Sequence, residues 1–130
     1  MKIKLPQEWF KQAKYDFKTA EAMYESKRYI YAVFMCHLPI EKALKGIYAE
    51  VVKDNPAKTH NLNYLLKKIE EVERVDIGEY SDFIERLNLK SIPTRYPEDL
   101  QKMFKDYNKK NTKEYLEKTK GLLKCLMAKY

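Results

Sequence analysis

Glycine is scarce in this chain of 130 residues, which has only three isolated examples, Gly46, Gly78 and Gly121. Phosphate-binding loops and dinucleotide fingerprints need several glycines close together, because the backbone must turn tightly and approach the phosphate. The nucleophile elbow of serine hydrolases likewise needs two glycines flanking its serine. The sequence therefore excludes the enzyme classes that depend on these motifs.

Long apolar runs are also absent. No stretch approaches the roughly 20 apolar residues needed to cross a bilayer. The first residues, Met1–Lys4, do not lead into a signal peptide, because charged residues return at Glu8. We therefore expect a protein of the cytoplasm with no membrane contact.

Cysteine and histidine are represented by two residues each. Cys36 and Cys125 both lie in apolar helical patterns, which favours small core residues over a disulfide. A structural zinc site needs a closer cluster of Cys and His than these scattered positions provide. We expect neither a metal nor another cofactor.

Charge of one sign is in excess, with 26 basic and 19 acidic side chains and a net charge of +7. Such a surplus favours acidic partners, for example RNA, nucleotide phosphates or an acidic protein face. However, 22 of the 26 basic residues are Lys, spread along the chain. Lys is a hydrated point charge, whereas phosphate recognition more often uses clustered Arg, so the composition favours an ordinary solvated surface.

Apolar residues recur at helical spacing and predict an all-α fold. A first helix is expected over Pro6–Ser26 and a second over Arg28–Lys53. The connection is so short that the two helices must form a long antiparallel hairpin. Pro39 removes one backbone hydrogen bond from the middle of the second helix and predicts a kink there.

The sequence after the hairpin predicts further helices. The third is expected to start at Thr59 as its N-cap, and the last to cover Thr112–Lys129. The stretch Lys90–Asn111 contains two prolines and predicts a long loop, with a helical turn around Leu100–Tyr107. We therefore expect residues 1–130 to form a single domain, an up-and-down bundle of four to five helices.

One polar strip interrupts the apolar pattern of the second helix. His37, Glu41 and Lys45 stand at four-residue intervals and therefore share one face. On an exposed helix, Glu41 and Lys45 would form a pair that contributes only about 0.2–0.5 kcal/mol, beside a histidine with its own partner. On a buried face the charges would need partners, which favours a ligand pocket or an interface. The sequence leaves both alternatives open.

Two further positions could bind an anion. His60 follows the expected N-cap of the third helix, where free N–H groups attract phosphate, although it could equally pack against the loop. Arg95 and Tyr96 lie between two prolines, a rigid frame suited to phosphate binding or to stacking on a base. Alternatively, Tyr96 anchors the long loop and Arg95 pairs with a carboxylate.

Four stretches in the same order carry a resemblance: residues 9–22, 34–46, 59–66 and 94–97. The most specific is Glu-Lys-Ala-Leu-Lys at positions 41–45, supported by His60 and the leucines that follow it. Together they resemble the prokaryotic HEPN domain family, of the type associated with minimal nucleotidyltransferases. The resemblance covers nearly the whole chain.

This resemblance implies an up-and-down helical bundle, often a homodimer, that binds nucleotides or RNA and is encoded beside a minimal nucleotidyltransferase. Many members are RNA-cutting toxins of toxin–antitoxin pairs, with an Arg, four to six residues, and then a His. This sequence lacks that motif, because eight residues separate Arg28 from His37 and no histidine follows Arg74, Arg86 or Arg95.

The sequence therefore predicts a nucleotide-binding or partner-docking module that acts with a minimal nucleotidyltransferase and has no catalytic residues of its own. The alternative is a ribonuclease toxin with a non-standard active site, in which His37 or His60 would be the general base. The predicted ligand-binding residues are His37, Glu41, Lys45, His60, Arg95 and Tyr96.

Overall fold

The computed structural model describes residues 3–130, apart from the side chains of Ile92 and Arg95. The described chain contains six helices and no strand, which confirms the all-α prediction and raises the helix count above four to five. The helices are α1 (Pro6–Glu25), α2 (Tyr29–Val52), α3 (Leu62–Glu70), α4 (Ser81–Arg95), α5 (Leu100–Asp106) and α6 (Lys109–Met127).

The antiparallel hairpin of α1 and α2 is confirmed, with helix ends within one residue of those predicted. The turn between them reverses at Lys27, whose φ is +63°. Its amide donates to the carbonyl of Tyr24 at 3.0 Å, and the amide of Arg28 donates to Met23 at 2.8 Å. These bonds occupy carbonyls that a helix end otherwise leaves open, so the chain can double back directly.

Gly46 allows α1 to approach α2 closely. A Cβ at this position would lie 2.6 Å from Cε1 of Phe10 and 3.0 Å from Cβ of Trp9. Real side-chain carbons do not approach so closely, so Gly46 is required here for packing rather than for backbone conformation.

Helix α2 is the central element and contacts each of the other five helices. It runs without interruption through Pro39, which is itself buried. The kink at Pro39 stays a prediction. The buried apolar side chains of α2 are Ile30, Ala32, Val33, Cys36, Ile40, Ala43, Leu44, Ile47 and Ala49.

The prediction of a long loop over Lys90–Asn111 is wrong. Helix α4 continues through Pro93, α5 follows after four residues, and α6 begins at Lys109. Thr94 is fully buried, and its hydroxyl donates to the carbonyl of Lys90 at 2.6 Å. The burial of Thr94 thus favours a continuous helix despite the helix-breaking tendency of proline, whereas the predicted helical turn near Leu100 is confirmed as α5.

The predicted start of the third helix is also wrong, by two residues. Its N-cap is Asn61 rather than Thr59, and the Asn61 side chain accepts from the amide of Tyr64 at 3.1 Å. The amide of Leu62 donates to the side chain of Asn88 in α4 at 2.9 Å. A side chain from a distant helix therefore helps to decide where α3 begins.

Both cysteines are free thiols. Cys36 is buried as predicted, but Cys125 is exposed, because the buried face of α6 passes through Leu122, Leu123 and Leu126 instead. Among the described residues, no helix combines the length and the apolar composition needed to cross a lipid bilayer.

Candidate functional site

The polar strip of α2 lies inside the protein. His37, Glu41 and Lys45 are 2 %, 4 % and 8 % exposed. The expected pair between Glu41 and Lys45 is present, but its burial rules out the exposed-helix alternative. A buried carboxylate carries a large desolvation cost unless charged or hydrogen-bonding groups surround it.

Glu41 has three such groups around its carboxylate. Oε2 accepts a hydrogen bond from Nζ of Lys45 at 3.0 Å. Oε1 lies 2.9 Å from Nδ1 of His60 and 3.5 Å from Nδ1 of His37. These four residues, here called the Glu41 cluster, bring together two helical turns of α2 and a loop residue 19 positions later.

His60 connects the Glu41 cluster to the surface, because its side chain is 68 % exposed. It lies one residue before the N-cap of α3 rather than after it, so its predicted place in the first helical turn is wrong. The amides of Leu62 and Tyr64 already donate to Asn88 and Asn61. Side chains thus occupy two of the amides at this helix start, while the imidazole of His60 is exposed beside it.

The imidazole of His60 has one nitrogen available for an external group. Nδ1 faces Glu41, which leaves Nε2 on the opposite side of the ring. If Nδ1 carries the proton, Nε2 is an acceptor, and in the doubly protonated ring Nε2 becomes a donor. Such a nitrogen can accept a proton or bind a phosphate oxygen.

Trp9 and Lys4 border the cluster, and sequence reasoning did not identify them as part of it. Nζ of Lys45 lies 5.7 Å from the ring centroid of Trp9, and Nζ of Lys4 lies 3.8 Å from it. The backbone amide of Lys4 donates to the side chain of Asn55 in the α2–α3 connection at 3.2 Å. The available signal was the single Trp beside the apolar stripe of the first helix.

A second ion pair crosses the hairpin. Asp16 on α1 is buried, and its Oδ2 lies 2.7 Å from Nζ of Lys42 on α2. Asp16 falls on the buried face between Ala13 and Ala20, so its position indicated a need for a cation. This pair fixes α1 against the helix that carries the Glu41 cluster.

Tyr96 lies apart from the cluster. It is 68 % exposed just beyond α4, and the next residue, Pro97, shares a groove with Tyr31 near the start of α2. Ten residues of helix, about 15 Å, separate Tyr31 from Glu41. The side chain of Arg95 lies outside the described residues. The structure therefore brings four of the six predicted residues together in the Glu41 cluster.

No metal site accompanies these groups: within the part of the chain that the structure describes, no three His, Cys, Asp or Glu side chains are arranged to hold an ion.

Comparisons with known proteins agree with the fold. The sequence model of the HEPN domain matches residues 6–129. Among solved structures, the crystal structure of TT1696 from Thermus thermophilus is similar, with a TM-score of 0.78 and 24 % identity. The alignment covers 96 % of this chain and 98 % of that chain, so the two share the whole fold. No curated protein sequence matches the chain.

Proposed function

The chain belongs to the HEPN domain family, and from that premise we propose that it is a non-catalytic binding module of the cytoplasm. Its Glu41 cluster would hold a nucleotide or dock a minimal nucleotidyltransferase. The connection of a buried carboxylate to an exposed imidazole, Glu41 to His60 at 2.9 Å, carries this proposal.

Two features of the cluster favour binding. A polar network that served packing alone would have no need to place one member two-thirds in solvent, as His60 is. Lys45 uses one of its three N–H donors on Glu41, which leaves capacity for a ligand. Phosphate or carboxylate oxygens suit both groups.

Among the side chains that the structure describes, no arginine contacts the Glu41 cluster, which argues against catalysis. Arg28 lies nine residues before His37, about 13 Å along α2, so it cannot act beside that histidine in the way the family's ribonuclease motif implies. Arg95 is the arginine whose side chain lies outside the described residues, and we propose it as a peripheral contact at most.

Titration calorimetry with ATP, GTP and AMP tests whether the protein binds a nucleotide. We expect at least one to bind, and His60→Ala to abolish the binding while Lys102→Ala, at an exposed position on α5 outside the cluster, leaves it intact. Co-purification with a minimal nucleotidyltransferase encoded beside this chain tests whether the protein docks this partner. The same two variants show whether docking depends on His60. Failure of both assays would end the proposal.

A ribonuclease toxin is the second candidate, because one observation favours it. A carboxylate at 2.9 Å from Nδ1 can orient an imidazole so that Nε2 acts as a general base. Expression of the chain alone in a bacterium discriminates the two functions. The binding module leaves growth unchanged, whereas growth arrest that His37→Ala or His60→Ala relieves would favour the ribonuclease and contradict the binding module.

We also propose that the protein is a homodimer. The groove between the start of α2 and α5 has a volume of about 520 Å³. Three of its apolar side chains, Tyr31, Leu100 and Phe104, are each about half exposed. A second copy of the chain would cover them.

A further inference from the structure

A groove between α1 and α6 lies outside the Glu41 cluster. Its volume is about 520 Å³. Phe10 of α1 and Tyr130, which follows the end of α6, both line it, and their ring centroids are 6.3 Å apart. We call it the α1–α6 groove; its lining residues divide into an apolar floor and two cationic edges.

The edges are formed by four exposed lysines, Lys11 and Lys14 on α1 and Lys120 and Lys124 on α6. In the described part of the chain, no acidic side chain lines the groove, and none of these lysines is within ion-pair distance of a carboxylate.

Other lysines of α6 behave differently. Lys118 lies 3.0 Å from Glu114, and Lys113 lies 4.0 Å from Glu117, each one helical turn away. The same helix therefore balances its charges on one side and leaves them unbalanced along the groove. Four like charges around one depression attract an acidic partner.

The floor decides which kind of acidic partner fits. Phe10, Phe17 and Leu123 are buried, and Met127 and Tyr130 are partly buried. Since the two phenylalanine rings are buried, Tyr130 is the one aromatic ring of the described floor with open surface, and a single ring does not provide the series of stacking platforms that a single-stranded nucleic acid uses. A shallow apolar strip between two cationic edges instead complements a helix with one apolar face and acidic flanks.

We infer that the α1–α6 groove docks an acidic amphipathic helix of a partner protein. The partner's apolar residues, spaced at three and four positions, lie on the floor. Its Asp and Glu side chains pair with the lysines on either side. This inference goes beyond the proposed function, because it uses neither His60 nor any other member of the Glu41 cluster.

A designed peptide tests the inference. The probe has about 14 residues, roughly four helical turns, with Leu along one face and Glu on both flanks, and carries a fluorophore. Its fluorescence anisotropy is measured against the full chain. A scrambled peptide of the same composition separates helical complementarity from simple charge attraction.

We expect the amphipathic probe to bind, the scrambled peptide to bind at least about tenfold more weakly, and added salt to weaken both. Lys11→Glu combined with Lys124→Glu should lower the affinity for the amphipathic probe by about tenfold or more. Lys67→Glu combined with Lys102→Glu, an equal change of net charge outside the groove, should have little effect. Circular dichroism confirms that both double variants fold.

Three results would overturn the inference: no binding of the amphipathic probe, equally tight binding of the scrambled peptide, or an equal loss of affinity for the probe in the two double variants. A fourth would reassign the surface. If polyuridine RNA binds and depends on Lys11 and Lys124 while the peptide does not, the groove is a nucleic-acid surface instead.

Discussion

Cys36 is fully buried in the middle of α2, where its environment disfavours the thiolate. Burial raises the pKa of this thiol from 9.0 to about 12, against a smaller lowering by the Thr119 hydroxyl. Cys125 is exposed. Because the thiolate is the reacting species, we expect iodoacetamide at pH 8 to modify Cys125 alone in the folded protein and both cysteines after unfolding. Mass spectrometry counts the adducts; one on Cys36 in the folded protein would contradict this.

The same thiol should make stability depend on pH. Its folded pKa of about 12 exceeds the unfolded value of 9.0, so its contribution is complete below pH 9 and is lost as pH rises towards 12. Between pH 8 and pH 10 this amounts to about 1.4 kcal/mol of unfolding free energy. Urea unfolding of the wild type and of Cys36→Ala gives the free energy of unfolding of each protein at both pH values. The difference between the two proteins should be smaller at pH 10 than at pH 8 by about that amount. A constant difference would refute it.

Glu41 compensates the buried charge of Lys45, so removing it should be costly. Loss of one partner from a buried ion pair typically destabilises by about 3–5 kcal/mol, because the other charge stays buried without compensation. We expect Glu41→Ala to lower the free energy of unfolding by an amount in that range. The control is Glu117→Ala, which breaks an exposed pair with Lys113 and should cost less than about 0.5 kcal/mol. Comparable losses in both variants would mean that the cluster does not carry the proposed charge compensation.

At the scale of elements, the contact of α1 with α2 depends on Gly46. Helix propensity alone predicts that Gly46→Ala stabilises by about 1 kcal/mol. However, the new Cβ would lie 2.6 Å from the Phe10 ring, and overpacking costs about 1–3 kcal/mol. We expect net destabilisation in urea unfolding. Adding Phe10→Leu should make the Ala substitution less harmful, since it removes the clash; additive effects would argue against the contact.

Helix α4 shows how packing overrides a local signal. Two prolines within five residues, Pro93 and Pro97, predicted an irregular segment. The helix nevertheless continues through Pro93 to Arg95; Thr94 is fully buried, and its hydroxyl donates to the carbonyl of Lys90. That hydrogen bond is local, but Thr94 is buried by other parts of the molecule. Propensity rules that consider one helix at a time do not take this burial into account.

At the scale of the whole molecule, the proposed homodimer gives a direct expectation. A chain of 15.6 kDa should elute in light-scattering chromatography with about twice that mass. Phe104→Glu places a charge in the half-exposed apolar groove and should give the monomer. Tyr15→Glu, at a position 73 % exposed on α1, should stay dimeric. A monomeric wild type would rule out this dimer.

The sequence by itself determined the two helices of the hairpin and which of their residues share a face, because a helix repeats every 3.6 residues and this period is local. The hairpin of α1 and α2 and the strip of His37, Glu41 and Lys45 follow from that period and one short turn. The fold class could be predicted in this way, and the family from the order of the four stretches that resemble it.

Only the tertiary structure decided what the strip contacts. Nothing in the spacing indicates that a loop residue 19 positions later reaches Glu41, that Trp9 borders Lys45, or that Tyr96 lies elsewhere. These placements depend on the path of the α2–α3 connection and on Asn88 of α4, which helps to set the start of α3. The four-residue spacing along α2 supplied the carboxylate, and the packing of distant segments gave it an exposed imidazole.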